Sequence, residues 1–262
     1  SSGTNAHNEG DATAAEARTQ ETRNNNRTQI FKNSVIISDT DEGLNNIGKT
    51  RRMAYELIQV AREQKLDIEK ALFANNAKVA GNATTARELA GAPTWMTTNV
   101  NFVSASSGAN ATGDGSDART DSGAPTAFSQ VKFDDVMQSI WENGGMPDTC
   151  YLSAFQMNKA LAFTGNNNQR ANVVAADERV VNSLSVYLTP WGQVAFQPSR
   201  ENRSRDVFIL QDNMWEVATL RPTKNVALAK TGDSTQRQIT TELTLVCKNQ
   251  LASGMIADNT TS

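Results

Sequence analysis

Residues 43–50 read GLNNIGKT, a full match to the pattern G-x-x-x-x-G-K-[ST] through Gly43, Gly48, Lys49 and Thr50. In a phosphate-binding loop of this form, backbone N–H groups cradle a triphosphate. The lysine meets the β and γ oxygens, and the hydroxyl holds magnesium. VFILQD (207–212) supplies an apolar strand ending in aspartate, the kind that often completes such a site. Four points oppose the reading. SDTDE stands between the preceding strand and the loop, and Asp41 and Glu42 repel a triphosphate. Leu44 and Ile47 are spaced i, i+3 and run into a helical stripe, so the segment reads as a helix's first turn. No further strand follows until past residue 95, whereas a mononucleotide fold needs successive βα units. A pattern with four constrained positions also arises by chance. Gly43, Gly48, Lys49 and Thr50 are therefore read as a fortuitous match that holds no cofactor. A P-loop nucleotide-binding enzyme is the enzymatic alternative.

The remaining chemistry is sparse. The single histidine, His7, lies in a polar N-terminal stretch, so HExxH and multi-histidine metal sites are excluded. A Ser-His-Asp or Cys-His site would have to rest on that stretch. Cys150 and Cys247 sit in apolar runs without CxxC spacing and read as buried free thiols in a reducing compartment. No catalytic, cofactor or metal residue is assigned, and the chain is expected to be no enzyme. Lys and Arg total 25 against 28 Asp and Glu, a net charge of −3. Such a chain lacks the basic excess that grips phosphates, so it lies near DNA by proximity only. No apolar run approaches the roughly 20 residues that span a bilayer, and no membrane partner or signal peptide is expected.

The elements that would carry these residues are irregular in order. Hydrophobic residues make up 38%, which is low, and the shortfall falls on residues 1–29 and 101–130. TQIFKNSVIIS (28–38) reads as a strand, with Thr40 or Asp41 capping the helix after it. From Leu44 to about Ala74 a helix is expected, its apolar stripe made of Ile47, Ala54, Ile58, Ala61, Ile68 and Leu72. TTARELAGAPTW (84–95) reads as a helical turn and a stop, and residues 104–125 as a long exposed polar loop. VKFDDVMQSIWENGG (131–145) reads as an amphipathic helix with Phe133, Val136, Met137, Ile140 and Trp141 on one face. TCYLS follows as a buried strand, with Ser153 capping AFQMNKALAF. Two strands flank a turn at Pro190-Trp191-Gly192, and DVFIL, WEVATL, NVALAK and ITTELTLVCKN supply four more. Helices and strands are segregated, which gives an α+β class.

The ordered set of these segments resembles the major capsid proteins of tailed bacteriophages, with the Hong Kong 97-type capsid fold, in a podophage and siphophage subfamily. TRNNNRTQIFKNSVIIS with its long helix looks like the extended loop running into the spine helix. FDDVMQSIWENGGMPDTCYLSAFQMNKAL looks like the axial-domain helix–strand–helix. VYLTPWGQVAFQPSR, WEVATLRP and AKTGDSTQRQITTELTLVCKNQLASGMIAD resemble the closing part of the family. The resemblance implies an extended-loop arm over 1–40, with the N-terminal arm missing, and a peripheral domain with spine helix and polar loop over 41–130. It implies an axial domain over 131–224 and return strands of the peripheral domain over 225–262. It further implies a structural protein that self-assembles, as hexamers and pentamers, into the icosahedral head enclosing a phage genome. Scaffolding, portal and decoration proteins would be its partners, the host cytoplasm its place of assembly and the virion its location. Arg18, Arg23, Arg27 and Lys32 would then contact the neighbouring subunit. A fibre or decoration protein of the virion is the non-enzymatic alternative.

Overall fold

Phe31, Val35 and Ile37 alternate with exposed residues along QIFKNSVIIS, and this period of two makes β1 (Gln29–Ser38) a strand with one covered face. The computed structural model describes residues 9–10, 23–44, 51–163 and 186–261. β1 pairs antiparallel with β8 (Ser234–Cys247), from Gln29 opposite Leu243 to Ser38 opposite Ser234. On its other side β8 pairs antiparallel with β7 (Trp215–Ala227), giving a three-stranded sheet of order β1-β8-β7. WEVATL and NVALAK, expected as two strands, are one. Pro222 lacks the N–H a ladder needs, and the register shifts on both sides of Arg221 let the edge strand run past it. Ile239, Thr241, Leu243 and Leu245 lie on the covered side of β8, as their alternation implies.

Of the helix expected over 44–74, the described residues are helical from Arg52 to Phe73, and a separate short helix lies before Leu44. α1 (Asp39–Gly43) is capped by Ser38, whose hydroxyl accepts from the Asp41 N–H, not by Thr40 or Asp41. It ends where Leu44 turns extended. Ile47 lies outside the described residues. α2 (Arg52–Phe73) then crosses the covered face of the sheet. Its inner stripe runs through Met53, Leu57, Val60, Ala61, Gln64, Ile68 and Ala71, a 3.6-residue period with a glutamine at its centre. Ile58, one position off that stripe, is 54% exposed. Gln64 is buried because its amide N–H donates to the Phe31 carbonyl at 3.0 Å. The Ala92–Thr94 turn is the only helical part of 84–95, and Phe31, Leu89 and Leu243 form the core beneath Ile68 and Leu72.

A second sheet of six strands has the order β2-β9-β6-β3-β5-β4. These are β2 (Val100–Asn101), β3 (Thr149–Leu152), β4 (Val186–Thr189), β5 (Gly192–Pro198), β6 (Val207–Leu210) and β9 (Gly254–Ile256). α3 (Gln130–Glu142) and α4 (Ala154–Ala160) start at Ser129 and Ser153, whose hydroxyls accept from N–H groups of their first turns. Phe133, Val136, Met137 and Ile140 of α3 are buried against β3, β5 and β6, with Phe133 edge-on to Tyr187 at 5.5 Å. Trp141 does not join that face: it is 56% exposed. At 100° per residue it lies on the flank of the helix. The strands cut across the boundaries expected from sequence. β7 begins at Trp215, before residue 225, while β2 and β9 place residues on both sides of the expected axial range in one sheet. Gly254 permits this approach, since a Cβ there would meet the Asn99 carbonyl oxygen and Val136 at 2.7 Å.

Candidate assembly surface

Gly43 closes α1, while Gly48, Lys49 and Thr50 lie outside the described residues, as do His7 and Arg18. The two carboxylates beside the motif point at the start of α2. Asp41 pairs with Arg52, and Glu42 accepts from the Met53 N–H at 3.1 Å. A helix N-terminus is where a phosphate would be held, and here side-chain carboxylates face it.

Arg23 and Arg27 are exposed, and their strip is fastened by its backbone and by Asn26. The Asn26 amide donates to the carbonyls of Leu245 (2.8 Å) and Ala90 (3.2 Å) and accepts from the Ala90 N–H (2.9 Å). Thr244 donates to the Arg27 carbonyl at 2.8 Å and Arg87 to that of Thr28 at 2.7 Å. Lys32 stands on the outward face of β1. The structure leaves Arg23, Arg27 and Lys32 exposed, and no bond joins their side chains. Glu242 escaped the sequence reading: alternation put it outward, yet its side chain is only 4% exposed. Arg87 and Arg221 cover it, and the Thr28 hydroxyl donates to it at 2.7 Å. The Thr28 bond first, and then the two guanidiniums, hold its carboxyl below the usual range.

The 104–125 segment is also not the exposed loop its composition implies. Arg119 is buried, with Nη2 2.9 Å from Asp258 and Nη1 3.0 Å from Asp121 and 3.8 Å from Asp206. Arg203 pairs with Asp206 (2.6 Å) and with Asp121, and Arg205 with Asp258 (3.3 Å). Three arginines and three aspartates thus tie this loop, the turn before β6 and the segment after β9 together. Burial raises the Asp258 carboxyl, but bonds from Arg119 and the Ser122 N–H outweigh it and hold it low. Among the described residues no group of His, Cys, Asp and Glu is arranged to hold a metal ion, and no helix is long and apolar enough to cross a membrane. Nothing in this arrangement pairs a nucleophile with a base. It is an interior brace, while the outer sheet face and α3 carry exposed Ile36, Val226, Leu228, Val131 and Trp141.

The sequence matches the family model of the SU10 major capsid protein over residues 1–260. The chain belongs to that family. Its role is structural, as a phage major capsid protein that associates with copies of itself in the shell of the virion. Its fold is that of the Hong Kong 97-type capsid proteins. It resembles the capsid of cyanophage A-1(L), with a TM-score of 0.63 and 11% identity over 89% of this chain and 78% of the other. The procapsid of satellite phage P4 superposes with a TM-score of 0.56 and 11% identity over 98% and 79%. The SrpI encapsulin of Synechococcus elongatus PCC 7942 does so with 0.55 and 10% over 90% and 75%. No curated protein sequence matches the chain.

Proposed function

We propose that this capsid protein tiles an icosahedral head as hexamers and pentamers around a packaged phage genome, after assembly in the host cytoplasm. The observation that carries the reading is the number of large apolar side chains left uncovered on the three-stranded sheet and on α3 of a single chain. Ile36, at 64% exposure, and Val131, at 68%, are examples. Apolar surface of this extent calls for a covering partner. In this reading α2 and the three-stranded sheet form the peripheral domain and the six-stranded sheet the axial domain. Arg18, Arg23, Arg27 and Lys32 lie against the neighbouring subunit. Scaffolding, portal and decoration proteins meet the shell at surfaces the subunit contacts leave free. DNA is a neighbour of the shell and not a ligand of it.

The test is the double substitution Arg23→Glu with Arg27→Glu. Both side chains are exposed, so the free subunit should keep its circular dichroism and melt within about 0.5 kcal/mol of wild type. Repeated at every copy of a closed shell, the same change should abolish the particle boundary in analytical ultracentrifugation. Normal particles from the double mutant would remove these arginines from the contact.

A further inference from the structure

Two surfaces that no described residue covers match each other in charge and in spacing. The first is the outer face of the three-stranded sheet. Lys32 and Lys224 flank Thr240 in one cross-strand row. One row on, Ser34, Gln238 and Val226 lie side by side, and beyond them Ile36 and Leu228 flank Gln236. Lys32 and Lys224 are exposed, and neither takes part in an ion pair among the described residues. This face is thus a pair of free cations beside an apolar patch of Ile36, Val226 and Leu228.

The second surface is the outward crest of α3. Val131, Asp135, Gln138 and Glu142 fall at i, i+4, i+7 and i+11, all on the side away from the core. Trp141 lies on one flank of this crest. Asp135 and Glu142 are exposed and, among the described residues, in no ion pair; Glu142 accepts only from the Gln138 amide, at 2.7 Å. The crest therefore carries two free carboxylates beside an exposed tryptophan, the side chain most often found at the centre of strong interfaces.

The spacings agree. Lys32 and Lys224 stand two strands apart, about 9.5 Å at the usual inter-strand distance. Asp135 and Glu142 stand two turns apart, about 10.5 Å at 1.5 Å per residue. A helix laid across the strands sets both carboxylates over both lysines, with Gln138 over Thr240. The flank bearing Trp141 can then face the row of Val226, roughly 7 Å along the strands.

We propose that the crest of α3 in one copy lies across the outer face of β1, β8 and β7 in the next, its carboxylates on Lys32 and Lys224 and Trp141 on the apolar patch. The two surfaces are different, so the contact is head-to-tail, and repetition of such a contact closes into a ring when its rotation permits. That is the geometry a capsomer needs, and the inference rests on the shell reading above.

The experiment is a charge exchange on the full-length chain, read by sedimentation of particles and by circular dichroism. Lys32→Glu with Lys224→Glu, and separately Asp135→Lys with Glu142→Lys, should each give folded subunits with at least a tenfold loss of particles. The chain carrying all four changes should regain them. As a second readout, a chain with Gln138→Cys mixed with a chain with Thr240→Cys should form a disulfide-linked heterodimer on oxidation. Wild-type assembly of either pair, or no recovery in the fourfold variant and no crosslink, overturns the contact. Loss of particles confined to the lysine pair would assign that face to another virion component or to nucleic acid instead. Failure of the unsubstituted chain to form particles would sink the shell reading itself, and this contact with it.

Discussion

Asp206 shows how a single residue carries a pH dependence that its sequence context conceals. Its side chain is fully buried between Arg119 and Arg203, and one carboxylate oxygen receives no hydrogen bond. Burial pushes its carboxyl up to about 6 from 3.8, against the opposing pull of Arg203 and Arg119. A raised value means that the folded chain holds the proton more tightly than the unfolded one. The stability this group contributes is therefore fully present below 3.8 and is lost as pH rises through about 6. Asp206→Asn removes that loss and leaves Asp258, Asp121 and the other titrating groups in place. We expect the unfolding free energy of the variant, minus that of wild type, to rise between about pH 4.5 and pH 7.5. The rise is bounded by roughly 3 kcal/mol, at about 1.4 kcal/mol per unit. Urea titrations at the two pH values check it, and a difference that is flat or falls with pH would show that Asp206 stays ionised throughout.

At the scale of elements, strands were easier to read than the long helix. Phe31, Val35 and Ile37 of β1 and Ile239, Thr241, Leu243 and Leu245 of β8 are buried at a period of two, which survives without any knowledge of the partner strand; only Glu242 breaks it. α2 was harder because its buried stripe contains Gln64. An apolar reading steps around a glutamine, and in doing so it rotates the stripe onto Ile58. Only the Phe31 carbonyl, 33 positions away in sequence, explains why the glutamine is inside. Long range also hid the Arg119 cluster, whose members come from three segments far apart in sequence, and the cover that Arg87 and Arg221 give Glu242. The corrected helix face makes opposite predictions for two neighbouring turns. Gln64→Ala strands a buried carbonyl and should cost about 1–3 kcal/mol. Ile58→Asp changes an exposed position and should stay within about 0.5 kcal/mol in the free subunit. Chemical denaturation of both variants tests the assignment, and an Ile58→Asp chain that fails to fold would return the stripe to the face read from sequence.

For the molecule as a whole, topology decides what no local motif can. A phosphate-binding loop of the P-loop kind works when the strand before it lies parallel beside the strand whose terminal aspartate reaches the magnesium. Here the strand before GLNNIGKT is β1, the edge of the three-stranded sheet, and the strand of VFILQD is β6, inside the six-stranded one. β6 has antiparallel neighbours on both sides, β3 and β9, so no parallel βαβ unit brings it to the loop. Asp212, past the end of that strand, accepts instead from the Thr149 hydroxyl at 2.9 Å. Asp41 and Glu42 add negative charge at the start of α2, where a triphosphate would have to approach. The outer face of the three-stranded sheet serves a different requirement, the exposed surface of a subunit whose neighbours complete its burial. Isothermal titration with Mg-ATP should therefore give no binding heat at about millimolar nucleotide, an affinity weaker than roughly −4 kcal/mol. Lys49→Ala should leave both that trace and the yield of particles unchanged. Saturable binding near micromolar nucleotide, abolished in Lys49→Ala, would give the segment a ligand and add a nucleotide-dependent step to the assembly of the shell.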